Sequence, residues 1–353
     1  MPPAARRALL LSLRLLLIAA GVGYVLWTVR WRDHAAPGPA GGPPVLREGM
    51  LTLLERAEWS WLLVGAAATL VIVPLQSLRW WLLMRCRGLP VSLPAAARLT
   101  LTGLFFNVCV PLGSNGGDLV RAVGAARAVG RGRPGVRTTA VVSVLLDRVA
   151  GLMGLLVLAA LAAPLVAGSD VGRRVNLTVW TLIGAVGLGG FVYLHPLARR
   201  VTGIGRLTRR GPLRTLDAAV TGYRGHPGVL AAAVVLSVPV HLALATATAL
   251  AGYGIGVPTG LITLLAVLPI TFLSGALPIT VLGLGVMEPT AAALLEGSGI
   301  TFNQIVAMLM GYRAYLLLYG LLGGLAVLAS AGPPGPRDPH DRAAAAQTAP
   351  ETP

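Results

Sequence analysis

The sequence predicts an all-α polytopic membrane protein, with about six transmembrane helices and two re-entrant hairpins in an inverted repeat. Three observations carry this reading. The chain has 353 residues, of which 55% are hydrophobic and only 12% charged, and its mean hydropathy is +0.74. Several of its apolar runs exceed the roughly 20 residues that a helix needs to cross a bilayer. The basic residues, all of them Arg among the Lys/Arg class, cluster between those runs and assign each an in–out sense. Finally, two apolar stretches break in matching fashion. In each, a Pro is followed five residues later by a Gly, and a charged residue stands five places beyond that Gly: Pro111, Gly116 and Arg121, then Pro278, Gly283 and Glu288. Paired Gly/Pro-interrupted segments in two halves of a membrane chain point to a transport site.

The first apolar run covers about 8–29, with Arg6, Arg7 and Arg14 before or inside it. It is too long for a signal-peptide core and no small-residue cleavage site follows closely, so an uncleaved span is expected. The segment from Arg30 to Glu58 mixes a Pro/Gly-rich stretch, 35–44, with both signs of charge. It reads as an outer loop with a short interfacial helix around 46–58. The second span, about 59–84, has Trp59 and Trp61 at one end and Arg85 and Arg87 at the other, so it runs inward. The run at about 93–117 lies between two Arg clusters of the same side, which makes it a hairpin that returns to that side. Irregular backbone at membrane depth is tolerated only under cover of protein or a polar cavity. Spans at about 138–166 and 175–194 follow. The strongly basic loop from His195 to His226 is expected at the cytoplasmic face, in contact with anionic lipid. A span at about 228–252, a second hairpin at 258–289 and a last span at about 303–330 complete the membrane domain, 1–330. The Pro/Ala-rich remainder, 331–353, is expected to be a disordered cytoplasmic tail. Both termini then lie in the cytoplasm, in a cell-membrane protein. Cys86 and Cys109 form no disulfide framework.

The repeat halves, about 59–166 and 228–330, align through Pro74, Pro111, Gly116 and Arg148 against Pro239, Pro278, Gly283 and Arg313. Span–hairpin–span occurs twice, and the Arg distribution makes the two copies opposite in orientation. A site is then expected near the midplane between them.

These residues resemble a known family. Asn107, Pro111 and Gly116-Gly117-Asp118-Leu119-Val120-Arg121, then Asp147-Arg148-Val149-Ala150-Gly151-Leu152, then Leu277-Pro278-Ile279 and Gly283-Leu284-Gly285-Val286-Met287-Glu288 are similar to the lysylphosphatidylglycerol synthase transmembrane family. The resemblance covers about 50–330. The chain departs from the pattern at Val108, often Asn, and at Met287, often Arg. The resemblance implies a flippase-like domain, here expected to stand alone without the synthase domain. It would translocate or scramble a phosphate-bearing lipid, aminoacylated or glycosylated forms included.

An ionisable group at the bilayer centre costs at least ~2.5 kcal/mol, so each one needs a partner or a purpose. Adjacent Asp147 and Arg148 point about 100° apart on a helix and must find partners elsewhere. Asp118 with Arg148, and Glu288 with Arg313, are the expected cross-pairs along a polar groove. In the functional reading Arg121, Arg148 and Arg313 contact a lipid phosphate, because guanidinium suits phosphate oxygens. Asp118, Asp147, Glu288 and Asn107 would balance or line that groove. Structural ion pairs that merely hold the hairpins are the competing reading. Gly116, Gly117, Gly283 and Gly285, beside Pro111 and Pro278, would allow tight turns and aim helix N-terminal amides at an anion. His241 reads as a core residue, and Trp80-Trp81 as packing or interface residues.

No metal-ligand pattern, nucleophile elbow or phosphate-loop motif occurs in the sequence, so neither a cofactor nor a metal is expected. Asp118 and Asp147 could suggest an intramembrane aspartyl pair, but each has an Arg nearby, which holds carboxyls ionised. A membrane glycosyltransferase using Asp33, Glu48, Glu55 or Glu58 is an alternative. So is a non-catalytic scaffold for a separate lipid-modifying enzyme. The expected partners are membrane lipids, with such an enzyme as a candidate, and not nucleic acid.

Overall fold

The computed structural model describes residues 19, 23–36, 44–108, 116–129, 135–194, 217, 219–276 and 282–330. The first apolar run and the tail therefore lie largely outside the described residues, as do the hairpin breaks Pro111 and Pro278.

Among the described residues the membrane-grade sequence is helical. A short antiparallel ribbon, β1 (His34–Ala36) with β2 (Val45–Arg47), precedes α1 (Met50–Glu55). The 30–58 segment thus holds the expected short helix together with a ribbon that the sequence did not suggest. Asp33 fastens it, accepting hydrogen bonds from the Gly49 N–H and the Thr52 hydroxyl, each at 2.7 Å.

The first long span is α2 (Trp59–Ala68) and α3 (Ile72–Arg85), joined by one 3-10 turn at Thr69–Val71. Pro74 explains the join, since its ring crowds the carbonyl four residues earlier and removes one helical hydrogen bond. Helices α4 (Leu93–Val108) and α5 (Gly116–Val129) follow, then α6 (Val136–Ala162) with a 3-10 extension to Val166. Next come α7 (Asp170–Leu194), α8 (Pro227–Gly254), α9 (Leu261–Gly275), α10 (Met287–Leu294) and α11 (Phe302–Ser330).

Among the described residues, 4 helices are long and apolar enough to cross a membrane: Trp59–Arg85, Val136–Val166, Pro227–Gly254 and Phe302–Leu328. In chain order, the first two flank α4 and α5, and the last two flank α9 and α10. Helices α4 and α9, at 16 and 15 residues, reach only ~24 Å, short of the ~30 Å hydrocarbon core.

Helices α4 and α5 form an antiparallel hairpin. Leu99 packs on Gly124, Gly103 on Arg121, and Asn107 on Gly117. The return arm extends to Val129, beyond the expected end at 117, because Asp118, Arg121 and Arg127 dilute its apolar character without breaking its helical face. In the second half, Gly275 of α9 meets Met287 of α10 and Gly283 just before it. The core between the units contains Val240, Leu244, Leu264, Leu268, Met308 and Leu309.

Candidate functional site

Charge is concentrated where the hairpins meet the spans. In the first half, Asp147 of α6 is almost fully buried and lies between two guanidinium groups. Arg79 Nε of α3 donates to its Oδ1 at 2.7 Å, and Arg121 Nη2 of α5 donates to its Oδ2 at 2.9 Å. One turn along, Asp118 takes Arg148 in a two-pronged pair, Nε at 2.7 Å and Nη2 at 3.0 Å. Asp118 also lies 3.8 Å from Arg121 Nη1. Arg79, Arg121 and Arg148 thus face Asp118 and Asp147, three cations against two anions, in one connected cluster.

Local sequence explains the geometry. Gly103 leaves space for the aliphatic stem of Arg121, and Gly117 lies so close to the Gly103 carbonyl oxygen that any Cβ there would collide with it. The Gly117 N–H donates to Asn107 Oδ1 at 2.8 Å and ties the two arms together. The Arg121 guanidinium covers the face of the buried Trp80 ring at 4.2 Å, an arrangement favoured by the ring quadrupole. Trp80 donates to Ser143 Oγ at 3.1 Å. Arg79 Nη1 donates to Ser237 Oγ at 2.7 Å on α8, so the cluster reaches the second half.

The second half repeats the device with reversed sign. Glu288 of α10 lies 2.6 Å from Arg313 of α11, with side chains 0% and 7% exposed. Glu288 also accepts the Gly285 N–H at 2.8 Å. Gly283 and Gly285 have φ of +70° and +79°, left-handed values that glycine adopts without strain. In the first half the hairpin supplies the cation Arg121 and the span the anion. In the second the hairpin supplies the anion and the span the cation. Among the described residues, Arg313 Nε and Nη1 have no hydrogen-bond acceptor despite burial. Tyr312, stacked on Phe272 at 4.7 Å between centroids, lies within electrostatic reach of both Arg313 and Arg148.

The expected pairs Asp118–Arg148 and Glu288–Arg313 both form, and Asp147 and Arg148 do point to different partners. Two expectations change. The Gly117 and Gly285 amides are engaged by Asn107 and Glu288, so neither is free to meet an anion. Asn107 Oδ1 holds the two arms of the hairpin together. Sequence reasoning missed Arg79 and Ser237. A usable signal was present, because Arg79 lies six residues inside the Arg85 end of an apolar span, where a cation requires a partner. His241 is half-buried, with its ring packed beside Arg79 and the Gly151 backbone. Outside the spans, burial pushes up the Cys86 thiol and the Tyr223 hydroxyl. The Gly49 amide and the Thr52 hydroxyl hold Asp33 below the usual carboxylate range.

All of these hairpin and span contacts fall within residues 46–324, the stretch matched by the family model for the lysylphosphatidylglycerol synthase TM region. The chain belongs to that family. No curated protein matches it. The lysylphosphatidylglycerol synthase TM family is a membrane-domain family, in agreement with the long apolar helices.

Proposed function

We propose that this chain translocates a phosphate-bearing lipid between the leaflets of the cell membrane, its headgroup crossing through the charged cluster while the acyl chains stay in the bilayer. One observation carries the reading: among the described residues of the first-half cluster, three guanidinium groups face two carboxylates. A net cationic cluster at membrane depth is costly, and a phosphate would offset it. Arg148 is the accessible member, with its side chain 47% exposed. Its two-pronged bond to Asp118 is the geometry that a phosphate would reproduce. Asp118 then acts as the resident anion that a headgroup displaces, and Arg121 and Arg313 receive charge deeper in the protein. Tyr312 offers a hydroxyl between the two halves. The hairpins dip in from opposite faces, with the Arg-rich ends and both termini in the cytoplasm, and rocking of the halves about them exposes the groove to each side in turn.

The test is Arg148→Gln in vesicles holding a fluorescent phosphatidylglycerol, read by dithionite quenching. Losing a charged hydrogen-bonded pair to phosphate lowers the rate about tenfold or more. Because Arg148 is half exposed, folding survives the change. An unchanged rate in a folded variant would remove Arg148 from the path.

A further inference from the structure

We infer that the outer surface between α5 and α6 carries a separate loading site for a net-anionic glycerophospholipid. It deepens the translocation reading above by placing where the headgroup docks before it reaches the buried cluster. A cavity of about 620 Å³ opens there, lined by Leu119, Val123 and Val141 on its walls and by Arg127, Arg137 and Thr138 at one end. Leu119, Val123 and Val141 are 65%, 40% and 48% exposed, an apolar surface suited to an acyl chain. Among the described residues no carboxylate lines the cavity, so its two guanidinium groups select an anion.

The register of the two helices makes this a track. They run antiparallel, since Arg121 meets Asp147 and Asp118 meets Arg148. Leu119, Val123 and Arg127 recur every four residues on one face of α5, and Arg137 and Val141 do so on α6. Arg127 lies nine residues past Asp118 and Arg137 eleven before Arg148, a rise of ~14–16 Å. That is half of the ~30 Å hydrocarbon core. One end of the track is therefore at headgroup depth when the Asp118–Arg148 pair is at the midplane. The occupant combines an anionic head with an apolar tail. A free phosphate satisfies only the arginines, and a soluble partner leaves the apolar walls in lipid.

The experiment uses the full chain in vesicles of equimolar phosphatidylglycerol and phosphatidylcholine, with Val141 replaced by a photoreactive benzoylphenylalanine. Adducts are identified by mass after illumination. Phosphatidylglycerol adducts predominate, and Arg127→Gln and Arg137→Gln each reduce that preference about fivefold. Equal labelling of both lipids, labelling unaffected by the Arg changes, or cross-links chiefly to a second copy of the chain would each overturn the site. The same preparations are read for translocation. There the double variant requires a higher fraction of phosphatidylglycerol for half-maximal rate and reaches the same plateau. If adducts form as described but the wild type moves no lipid, the translocation reading fails and the site stands. If lipid moves at the wild-type rate with no adduct preference, the site fails and translocation stands.

Discussion

Asp147→Asn strands two buried arginines, and its cost can be worked from the contacts. The change removes the anion that receives Arg79 at 2.7 Å and Arg121 at 2.9 Å. Removing one partner of a buried ion pair costs about 3–5 kcal/mol, chiefly through the unpaired charge left behind. Two effects moderate that figure here. Arg79 keeps its bond to Ser237, and Arg121 keeps the Trp80 ring and the more distant Asp118. Opposing them, the local charge excess doubles. A loss of about 4 kcal/mol is expected, roughly a thousandfold in the folding equilibrium. The assay is reversible unfolding in mixed micelles or bicelles, followed by the fluorescence of the seven Trp residues. Arg79→Met added to Asp147→Asn recovers much of the loss, because one stranded cation is then gone. The solvent-exposed pair Arg173–Asp170 serves as the control, since exposed pairs contribute ~0–1 kcal/mol. If Asp147→Asn costs no more than that control, or if the second substitution deepens the loss, the triad is not the electrostatic centre argued here.

Three further outcomes follow from the geometry. Gly117→Ala drives a methyl into the Gly103 carbonyl and separates the hairpin arms; we expect translocation to fall at least tenfold and hydrogen exchange of the α4 and α5 amides to quicken, whereas Gly184→Ala, inside α7 at a site with open space, does not affect the hairpin. Asp33 has a depressed pKa, so its contribution to the ribbon and α1 is present above its unfolded value and is lost as pH falls through the lower folded value. Hydrogen exchange of the 45–52 amides should therefore stay slow into the ordinary carboxylate range and quicken only below it, and Asp33→Asn should abolish that dependence. Cys86, raised by burial, should react with maleimide more slowly than a free thiol at neutral pH in a Cys109→Ser background, with the gap narrowing as pH rises.

Much of this was legible in the sequence because membrane physics leaves few options. Length and apolarity mark Trp59–Arg85 and Phe302–Leu328 without ambiguity, and the cost of buried charge forces Asp118, Arg148, Glu288 and Arg313 to find one another. What stayed hidden depends on close packing. The α5 return arm was truncated because its polar face, turned toward α6, resembles a solvent-exposed loop in composition. Arg79 was overlooked since its partner Asp147 is 68 residues away, on a helix whose rotation no local pattern reveals. The β1–β2 ribbon pairs residues on either side of a Pro/Gly-rich stretch, whose composition alone favours loop. The reversal of hairpin charge between Arg121 and Glu288 was visible as spacing, but its meaning emerged only once their partners on α6 and α11 were in place.

The decisive measurement is the movement of labelled phosphatidylglycerol in vesicles containing the purified chain, compared with protein-free vesicles of the same composition. The account predicts that dithionite reaches inner-leaflet label within minutes when the protein is present, and that Arg148→Gln slows this. Identical traces with and without protein would contradict it.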